Sequence, residues 1–236
     1  MGTLAERIRG LPWGQVAEDL SASGWGRAGP LLTAQECAEL VALYPDETRF
    51  RSHIQMQARR FGVGDYKYFK PPLPELVRDA RAALYPHLAV LGNAWMSALG
   101  RPDHFPETLD AFLGQCGKAG QERSTPLLLR YQAGGFNCLH QDVYGSVAFP
   151  LQVVIPLSRV GVDYTGGEFV LVEQRPRAQS IARVIVAGQG EAVVFPNRFR
   201  PAKGPRGAHS VAVRHGLSLV AWGERYALGL IFHDAA

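Results

Sequence analysis

The sequence predicts an α+β protein in which N-terminal helices pack against an antiparallel β-sandwich or barrel. Two observations support this fold class. Apolar residues follow a helical period up to about Gly120, and from Pro126 onward they occur in short runs separated by Gly, Pro or charged turns. With 236 residues and 47% hydrophobic content, the chain can bury a sizeable core. We therefore expect a mainly helical part at 1–120 and a β-rich part at 121–236, which together form one structural unit.

The helical pattern of the first part begins at a capping box. Thr33 and Glu36 have the spacing in which each side chain hydrogen-bonds to the other residue's backbone, just before the run AQECAELVALY. A longer run, PLPELVRDARAALYPHLAVLGNAWMSAL, is also helical in its periodicity. Because proline disrupts helix interiors, we expect this second region to be interrupted at Pro86.

The second part contains short apolar runs that are typical of β-strands. In chain order they are PLLLRYQ, FPLQVVIPL, GEFVLVEQ, ARVIVAG, EAVVFP, HSVAVR, GLSLV and RYALGLIF. In the last run, Arg225, Ala227 and Gly229 share one face of the predicted strand. The opposite face is apolar and predicts core residues, namely Tyr226, Leu228, Leu230 and Phe232. One long cation above small residues predicts a cavity in which Arg225 can pair with a carboxylate.

Composition and charge exclude several classes of protein. No apolar run approaches the roughly 18 residues that a membrane-spanning helix needs, and the start, MGTLAERIRG, has charged residues where a signal peptide needs an apolar segment. We therefore expect a cytoplasmic protein without a membrane partner. Cys37, Cys116 and Cys138 are widely spaced, which argues against a disulfide framework or a thiolate zinc site. A net charge of +4 favours an anionic partner without identifying one.

A His-x-Asp pair lies in the stretch RYQAGGFNCLHQDVYG, at 130–145. On an extended backbone His140 and Asp142 point to the same side and can converge on one ion. One imidazole and one carboxylate make two thirds of a facial triad, a ligand set that suits Fe(II). From the pair alone, a solvated polar loop remains the alternative. A third ligand from a later strand would be His209, His215 or His233.

The pattern formed by His140, Asp142, His215 and Arg225 resembles the motif of the Fe(II)- and 2-oxoglutarate-dependent dioxygenases. That resemblance implies a double-stranded β-helix (jelly-roll) core and three cofactors or cosubstrates: Fe(II), 2-oxoglutarate and O2. It implies that the two histidines and the aspartate bind the metal and that Arg225 binds the distal carboxylate of 2-oxoglutarate. Arg214 is the next candidate for the latter role.

The other two histidines fit this motif less well. His209 has an arginine five residues later, whereas His215 has Arg225 ten residues later. We interpret His209 as a turn residue or a residue that supports the metal ligands. His233, followed by Asp234 near the C-terminus, is interpreted as part of a polar pair at a strand end.

The run RYQAGGFNCLHQD is also similar to the first core strand and turn of the AlkB nucleic-acid demethylases. The resemblance implies that Tyr131, nine residues before the first metal ligand, contacts the cosubstrate. Three features depart from AlkB. Leu129 and Ile231 stand where AlkB proteins often have an Asn and a second Arg, and the spacing between His215 and Arg225 is closer to that of prolyl-4-hydroxylases.

Three longer runs resemble a bacterial family of 2-oxoglutarate–Fe(II) oxygenases that act oxidatively on damaged, alkylated DNA. They are GGEFVLVEQRPRAQS, VVFPNRFRPAKGPRG and RHGLSLVAWGERYALGLIFHDA. The resemblance implies oxidative demethylation of alkylated DNA or RNA, with release of succinate and CO2. No obligate protein partner is inferred.

A stretch before the predicted core, 51–70, mixes cations with aromatic residues as a nucleotide-binding lid would. Candidate substrate residues are Arg59, Arg60, Tyr66 and Tyr68, to which we add Tyr144 from the metal motif. A hairpin that packs its rings on the core and leaves its cations in solvent is an equal alternative. The basic Pro/Gly-rich segment at 198–207 could line a nucleic-acid path or be a solvated loop.

Three functions are therefore compatible with the sequence. The first is a 2-oxoglutarate dioxygenase that acts on alkylated nucleic acid. The second is the same chemistry on a protein side chain or a small metabolite, which the prolyl-hydroxylase-like spacing permits. The third is a jelly-roll binding module without turnover, against which a complete ligand set with a cosubstrate arginine argues.

Overall fold

The structure is a computed structural model that describes residues 2–175, 177–205 and 207–236. Its α-helices are α1 Leu4–Arg9, α2 Trp13–Ser23, α3 Ala34–Ala42, α4 Met56–Arg59, α5 Glu75–Ala98 and α6 Leu109–Lys118. A 3-10 helix covers Glu47–Arg49. The early strands are β1 Gly26–Pro30, β2 Phe50–Gln55, β3 Gly62–Val63 and β4 Asp65–Phe69. The later strands are β5 Leu127–Gln132, β6 Phe136–His140, β7 Leu151–Pro156, β8 Tyr164–Gly166, β9 Phe169–Gln174, β10 Ile181–Ile185, β11 Glu191–Pro196, β12 Phe199–Gly204, β13 Gly207–Leu217 and β14 Val220–Leu230.

Two antiparallel sheets form the β-structure of the chain. The larger sheet has the order β1-β11-β7-β14-β5-β4-β2, and β8 pairs with β14 at its side. The smaller sheet has the order β10-β9-β13-β6-β3, and β12 pairs with β13. From β5 onward the chain crosses repeatedly between the two sheets: β5, β7, β11 and β14 lie in the larger sheet, and β6, β9, β10 and β13 lie in the smaller one, as in a jelly roll. The predicted α+β class with a jelly-roll core is confirmed.

Helices cover the outer face of the larger sheet. The main core lies between these helices and the larger sheet. It contains residues from α5 and α6 together with the apolar face of β14. Leu228 and Leu230 of β14 and Phe232, two residues beyond its end, belong to this core and Tyr226 packs against it, as the alternation predicts. The opposite face of β14 is therefore left to line the space between the sheets.

Helix α5 is continuous through Pro86, so the predicted interruption is wrong. Proline removes a hydrogen bond to the carbonyl four residues earlier, which belongs to Ala82. Both Pro86 and Ala82 lie on the exposed side of the helix, where water can bind that carbonyl. Leu84 and Leu88 are fully buried on the other side and hold the helix against the core.

The N-terminal part is less helical than its periodicity predicts, because it supplies strands to both sheets. β1 pairs with β11, β4 pairs with β5, and the short β3 pairs with β6. These pairings depend on contacts with the second part of the chain and are invisible to local periodicity.

Two further details differ from the sequence prediction. His215 lies near the end of β13, and the run GLSLV is not a strand of its own: it contains the end of β13, the two connecting residues Ser218 and Leu219, and Val220, the first residue of β14. The basic segment at 198–207 is largely a β-hairpin strand, in which the buried Arg200 forms an ion pair with Glu173 at 2.7 Å. Arg206 lies outside the described residues.

Among the described residues, no helix is both long enough and apolar enough to cross a lipid bilayer.

Candidate metal centre and cosubstrate pocket

Strand pairing brings the predicted ligands together. β6 and β13 are antiparallel neighbours, and the register places His140 directly opposite His215. Asp142 follows the end of β6 by two residues and turns back toward the pair. All three side chains thus converge from the smaller sheet onto the space between the sheets.

Potential ligand atoms of His140, Asp142 and His215 all lie within 4.8 Å of one another. His215 Nε2 is 3.1 Å from Asp142 Oδ2, and His140 Nε2 is 3.5 Å from Asp142 Oδ1. Two imidazole nitrogens and one carboxylate oxygen form a facial set that leaves other coordination positions open. The donor set therefore fits Fe(II).

Burial and mutual charge govern the protonation of this cluster. Burial alone would raise the pKa of Asp142, but the charge of His215 and hydrogen bonds from both histidines hold it well below its usual value. Burial and the neighbouring His140 lower the pKa of His215. An ionised aspartate beside a neutral histidine is the protonation state that a divalent metal requires.

Neighbouring groups orient two of the three ligands. His140 Nδ1 donates a hydrogen bond to the carbonyl of Cys138 at 2.8 Å, which leaves Nε2 free for a metal. Tyr144 donates to Asp142 Oδ1 at 2.6 Å, and Tyr68 donates to the Tyr144 hydroxyl at 3.0 Å. The hydrogen bond from Tyr144 thus fixes Oδ1 of the Asp142 carboxylate, while Oδ2 faces His215.

A cavity of about 350 Å³ opens beside the triad and contains Arg225 at one end. Arg225 is 3% exposed, and its Nε has no hydrogen-bond partner among the described residues. No carboxylate within the described ranges forms an ion pair with this guanidinium, in contrast to the buried Arg81 and Arg200. An unpaired buried cation is costly, so the pocket is complementary to the carboxylate of a ligand.

Small residues and a tyrosine shape this end of the pocket. Ala227 and Gly229 line the cavity beyond Arg225, as the sequence predicts. A side chain at Gly229 would meet Leu127 at 2.7 Å, so glycine keeps the wall open. Tyr131 is buried on the neighbouring strand, and its hydroxyl accepts a hydrogen bond from Asn137 at 3.3 Å.

The alternative histidines lie outside the cluster. His209 is exposed on β13, opposite Ala202 of the β12–β13 hairpin. His233 is buried, and its Nδ1 accepts a hydrogen bond from the Phe149 backbone. Burial lowers the pKa of His233 to about 4, so it is neutral at physiological pH. Arg214, the alternative to Arg225, is exposed on β13.

Some cations of the proposed lid have partners within the protein, whereas others are exposed to solvent. Arg51 donates to the Ser124 carbonyl, and the buried Lys67 pairs with Glu47, so neither cation is available to a ligand. Arg59 and Arg60 are exposed at the end of α4, and Arg60 lines the mouth of the cavity with Phe61. The rings of Tyr66 and Tyr68 line the interior and meet edge to face.

Two pocket residues had no distinguishing signal in the sequence. Gln152 lies in β7, inside the apolar run LQVVIP, and Asn137 lies in the polar β6. Both side chains line the cavity. A single amide within a fully buried strand was the available clue, and only the pairing of β7 with β14 shows which way it faces.

Comparison with known proteins gives the family. Residues 64–235 match the family model Oxygenase-NA, described as an oxygenase catalysing oxidative methylation of damaged DNA. The chain belongs to this oxygenase family. It is also 52% identical, over 168 residues, to the uncharacterized protein Rv2227 of Mycobacterium tuberculosis, covering 71% of this chain and 72% of that protein.

Solved structures show the same fold. The Oxygenase-NA chain aligns with a Pseudomonas putida prolyl-4-hydroxylase at a TM-score of 0.52 and 18% identity, covering 99% of this chain and 100% of the other. A Trichoplax adhaerens prolyl hydroxylase, in complex with a hypoxia-inducible-factor peptide fragment, aligns at 0.53 and 16% identity, with 98% and 92% coverage. The chain therefore has the fold of these prolyl hydroxylases, and His140, Asp142 and His215 form a cluster that could hold a metal ion.

Proposed function

We propose that this Oxygenase-NA protein is a 2-oxoglutarate-dependent dioxygenase that oxidises the alkyl group of a damaged nucleic-acid base. One observation carries the dioxygenase chemistry: the His140–Asp142–His215 cluster, in which Asp142 and His215 are buried, shares a cavity with Arg225, and no carboxylate among the described residues pairs with this guanidinium. A binding module without turnover would need neither an open metal site nor a separate cation. The family description and the exposed lid cations support a nucleic-acid substrate.

In this proposal the polar residues of the metal centre and the cosubstrate site have distinct roles. His140, Asp142 and His215 hold Fe(II), and Arg225 binds the distal carboxylate of 2-oxoglutarate in a charge-assisted pair. Tyr131, held by Asn137, contacts the cosubstrate beside that carboxylate. With metal, cosubstrate and O2 bound, the centre supplies oxidation of a substrate C–H bond, and succinate and CO2 are released. The apolar walls exclude water from the reacting groups.

The mouth of the cavity is the proposed nucleic-acid side. Arg59 and Arg60 would meet phosphates, and the exposed ring of Phe61 would stack on a base that enters the cavity. Tyr66 and Tyr68 form the inner wall against which such a base would rest. If the oxidised carbon is a methyl on a base nitrogen, its hydroxylated form releases formaldehyde and restores the base.

A second candidate is hydroxylation of a protein side chain or a small metabolite. The ten-residue interval between His215 and Arg225 favours it, because that spacing resembles the prolyl-4-hydroxylase type. The same metal and cosubstrate residues serve both candidates, so only the substrate separates them.

Succinate formation tests the proposal. The protein, loaded with Fe(II) under anaerobic conditions, is mixed with 2-oxoglutarate, O2 and either methylated oligonucleotides or peptides and amino acids. We expect succinate and formaldehyde with a methylated oligonucleotide, and loss of both in His215→Ala, because a three-ligand site has no spare donor. His209→Ala is the matched control and should retain activity. Turnover with a peptide but with no oligonucleotide would replace the nucleic-acid substrate by the second candidate.

A further inference from the structure

Gln152 is a buried polar side chain whose amide nitrogen has no hydrogen-bond partner in the part of the chain that the structure describes. It lies in β7, whose six residues are all buried, and is itself 3% exposed. Its Nε2 has no hydrogen-bond partner among the described residues, although the side chain lines the cavity. Leaving a buried donor unpaired is costly, and an apolar residue would suit this strand better. A ligand in the cavity is therefore the natural acceptor.

The position of Gln152 separates it from the proposed cosubstrate site. In the antiparallel pair of β7 and β14, Ala227 lies opposite Pro156 and Leu230 lies opposite Val153. Continuing this register places residue 231 opposite Gln152 and residue 158 opposite Arg225. The interval from 152 to 158 corresponds to about 20 Å along the sheet, at roughly 3.3 Å per residue. A small dicarboxylate bound to Arg225 is thus anchored at a strand position well separated from that of Gln152.

Other polar groups near Gln152 are already committed. Tyr68 donates to Tyr144, and Tyr144 donates to Asp142. Among the described residues that line the cavity, Asp142 is the only carboxylate, and it faces the two histidines. A cationic group at this end would find no free counter-charge.

Apolar side chains lie beside Gln152 in the larger sheet. Phe195 lies opposite Gln152 on β11 and packs its ring on His215, with centroids 4.9 Å apart. Ile231 and Leu127 belong to an apolar cluster on the β14 side. In such surroundings an unpaired charge is strongly disfavoured, whereas one neutral hydrogen bond is favourable.

We propose that Gln152 is a specificity-determining residue that donates a hydrogen bond to an uncharged, acceptor-bearing group of the substrate. This inference rests on the proposed function. For alkylated nucleic acid it selects neutral methylated bases that retain a carbonyl acceptor, such as N1-methylguanine and N3-methylthymine. Cationic lesions, such as 1-methyladenine and 3-methylcytosine, bind less well.

Binding of four single-lesion oligonucleotides tests the inference. Fluorescence anisotropy is measured without O2, with metal and 2-oxoglutarate bound, and an unmodified oligonucleotide gives the background. The wild-type protein should bind the neutral lesions more tightly than the cationic ones. Gln152→Leu should lose this preference, with about a 10-fold weaker affinity for the neutral lesions, the equivalent of one hydrogen bond. Gln152→Asn keeps an amide one methylene shorter and should retain part of the preference.

Two further measurements separate the possible failures. The melting temperature of Gln152→Leu shows that it folds, and its affinity for 2-oxoglutarate shows whether the amide instead contacts the cosubstrate. An unchanged lesion preference, a weakened 2-oxoglutarate affinity alone, or tighter binding of cationic lesions by the wild type would each overturn the role of Gln152 while leaving the proposed function intact. If the wild type binds no methylated oligonucleotide above background, the proposed function and this inference both fail.

Discussion

Arg225 differs from the other buried arginines of the molecule in what neutralises it. Arg200 forms an ion pair with Glu173, and Arg81 forms one with Asp234. Such pairs offset the cost of removing a charge from water. For Arg225 the described chain provides two aromatic rings, with the guanidinium carbon 6.0 Å from Tyr131 and 5.7 Å from Tyr164, but no carboxylate. An anionic ligand would therefore supply the counter-charge that the described residues do not give Arg225.

Replacing Arg225 by Met should therefore have opposite effects on ligand binding and on folding. We expect the affinity for 2-oxoglutarate to fall at least 30-fold, because a buried charge pair worth roughly 2–5 kcal/mol is lost. The free energy of unfolding without ligand should not decrease, since an unpaired buried cation is removed and Met fills much of its volume. Calorimetric titration of the metal-loaded protein and denaturant unfolding of the ligand-free protein measure the two quantities.

A matched control for this substitution is Arg130→Met. Arg130 lies on the neighbouring strand β5 and pairs with Glu224 at the surface, at 2.7 Å. Its loss should leave 2-oxoglutarate affinity unchanged. If Arg225→Met binds 2-oxoglutarate as the wild type does, the cosubstrate carboxylate binds elsewhere, with Arg214 as the next residue to test.

The sequence pattern predicts which side chains of one strand face the cavity, but it does not do so for another strand. The alternation in RYALGLIF was enough to assign Arg225, Ala227 and Gly229 to the cavity face, because every second residue of a strand shares a side. The same rule could not assign Gln152, since both faces of β7 are buried and the run LQVVIP has no polar face to compare. Tyr144 was predicted as a substrate residue from its motif, but its hydroxyl contacts Asp142.

At the level of elements, the lid consists of four short segments, β2, α4, β3 and β4. β2 and β4 are paired with each other, and β4 continues the larger sheet through β5. Between them, α4 ends at Arg60, which has a left-handed backbone conformation with φ 60°. This reversal leads into Phe61 and β3, whose pairing with β6 fixes the mouth of the cavity beside the metal cluster.

Local sequence could not predict this arrangement. The segment 50–70 contains cations and aromatics in nearly equal numbers, so its periodicity does not separate a core-packed hairpin from a substrate lid. The structure contains elements of both: Lys67 is buried beside Glu47, whereas Arg59 and Arg60 remain exposed. Long-range partners decide which cation is structural, and those partners lie in segments that the sequence pattern does not connect.

Salt dependence of binding tests the role of this element. Replacing Arg59 and Arg60 together by Ala should flatten the dependence of log affinity on log salt by about 1.4 to 1.8 units, because each lost phosphate contact removes roughly 0.7 to 0.9. The measurement is the binding of a methylated oligonucleotide between low and physiological salt. Arg78 and Arg159, exposed cations remote in sequence from the lid, provide the control double variant. An equal decrease in both double variants would mean that general positive charge, and not the lid, attracts the nucleic acid.

At the scale of the whole molecule, the two parts predicted from the sequence are joined at several points. The N-terminal part contributes β1, β2 and β4 to the larger sheet, so the second part alone would leave β5 and β11 as unprotected edges. Arg81 of α5 adds a polar link, since it pairs with Asp234 at 2.8 Å and donates to the carbonyls of Ile231 and Phe232 at 3.0 Å. This link anchors the end of β14, the strand that carries Arg225.

We therefore predict that residues 1–120 and 121–236 unfold in one cooperative transition and that Arg81 contributes to it. Arg81→Met should lower the free energy of unfolding by about 3 kcal/mol, because Asp234 and two strand-end carbonyls lose their buried partner. Circular dichroism and tryptophan fluorescence in denaturant should report the same unfolding midpoint for the wild type. In Arg81→Met both probes should report the same lowered midpoint. Arg78→Met is the matched control, since Arg78 lies one turn earlier on the exposed side of α5 and should have little effect. Two separate transitions, or an unshifted midpoint in Arg81→Met, would show that the helical and β-rich parts are independent units and that the metal cavity does not depend on α5.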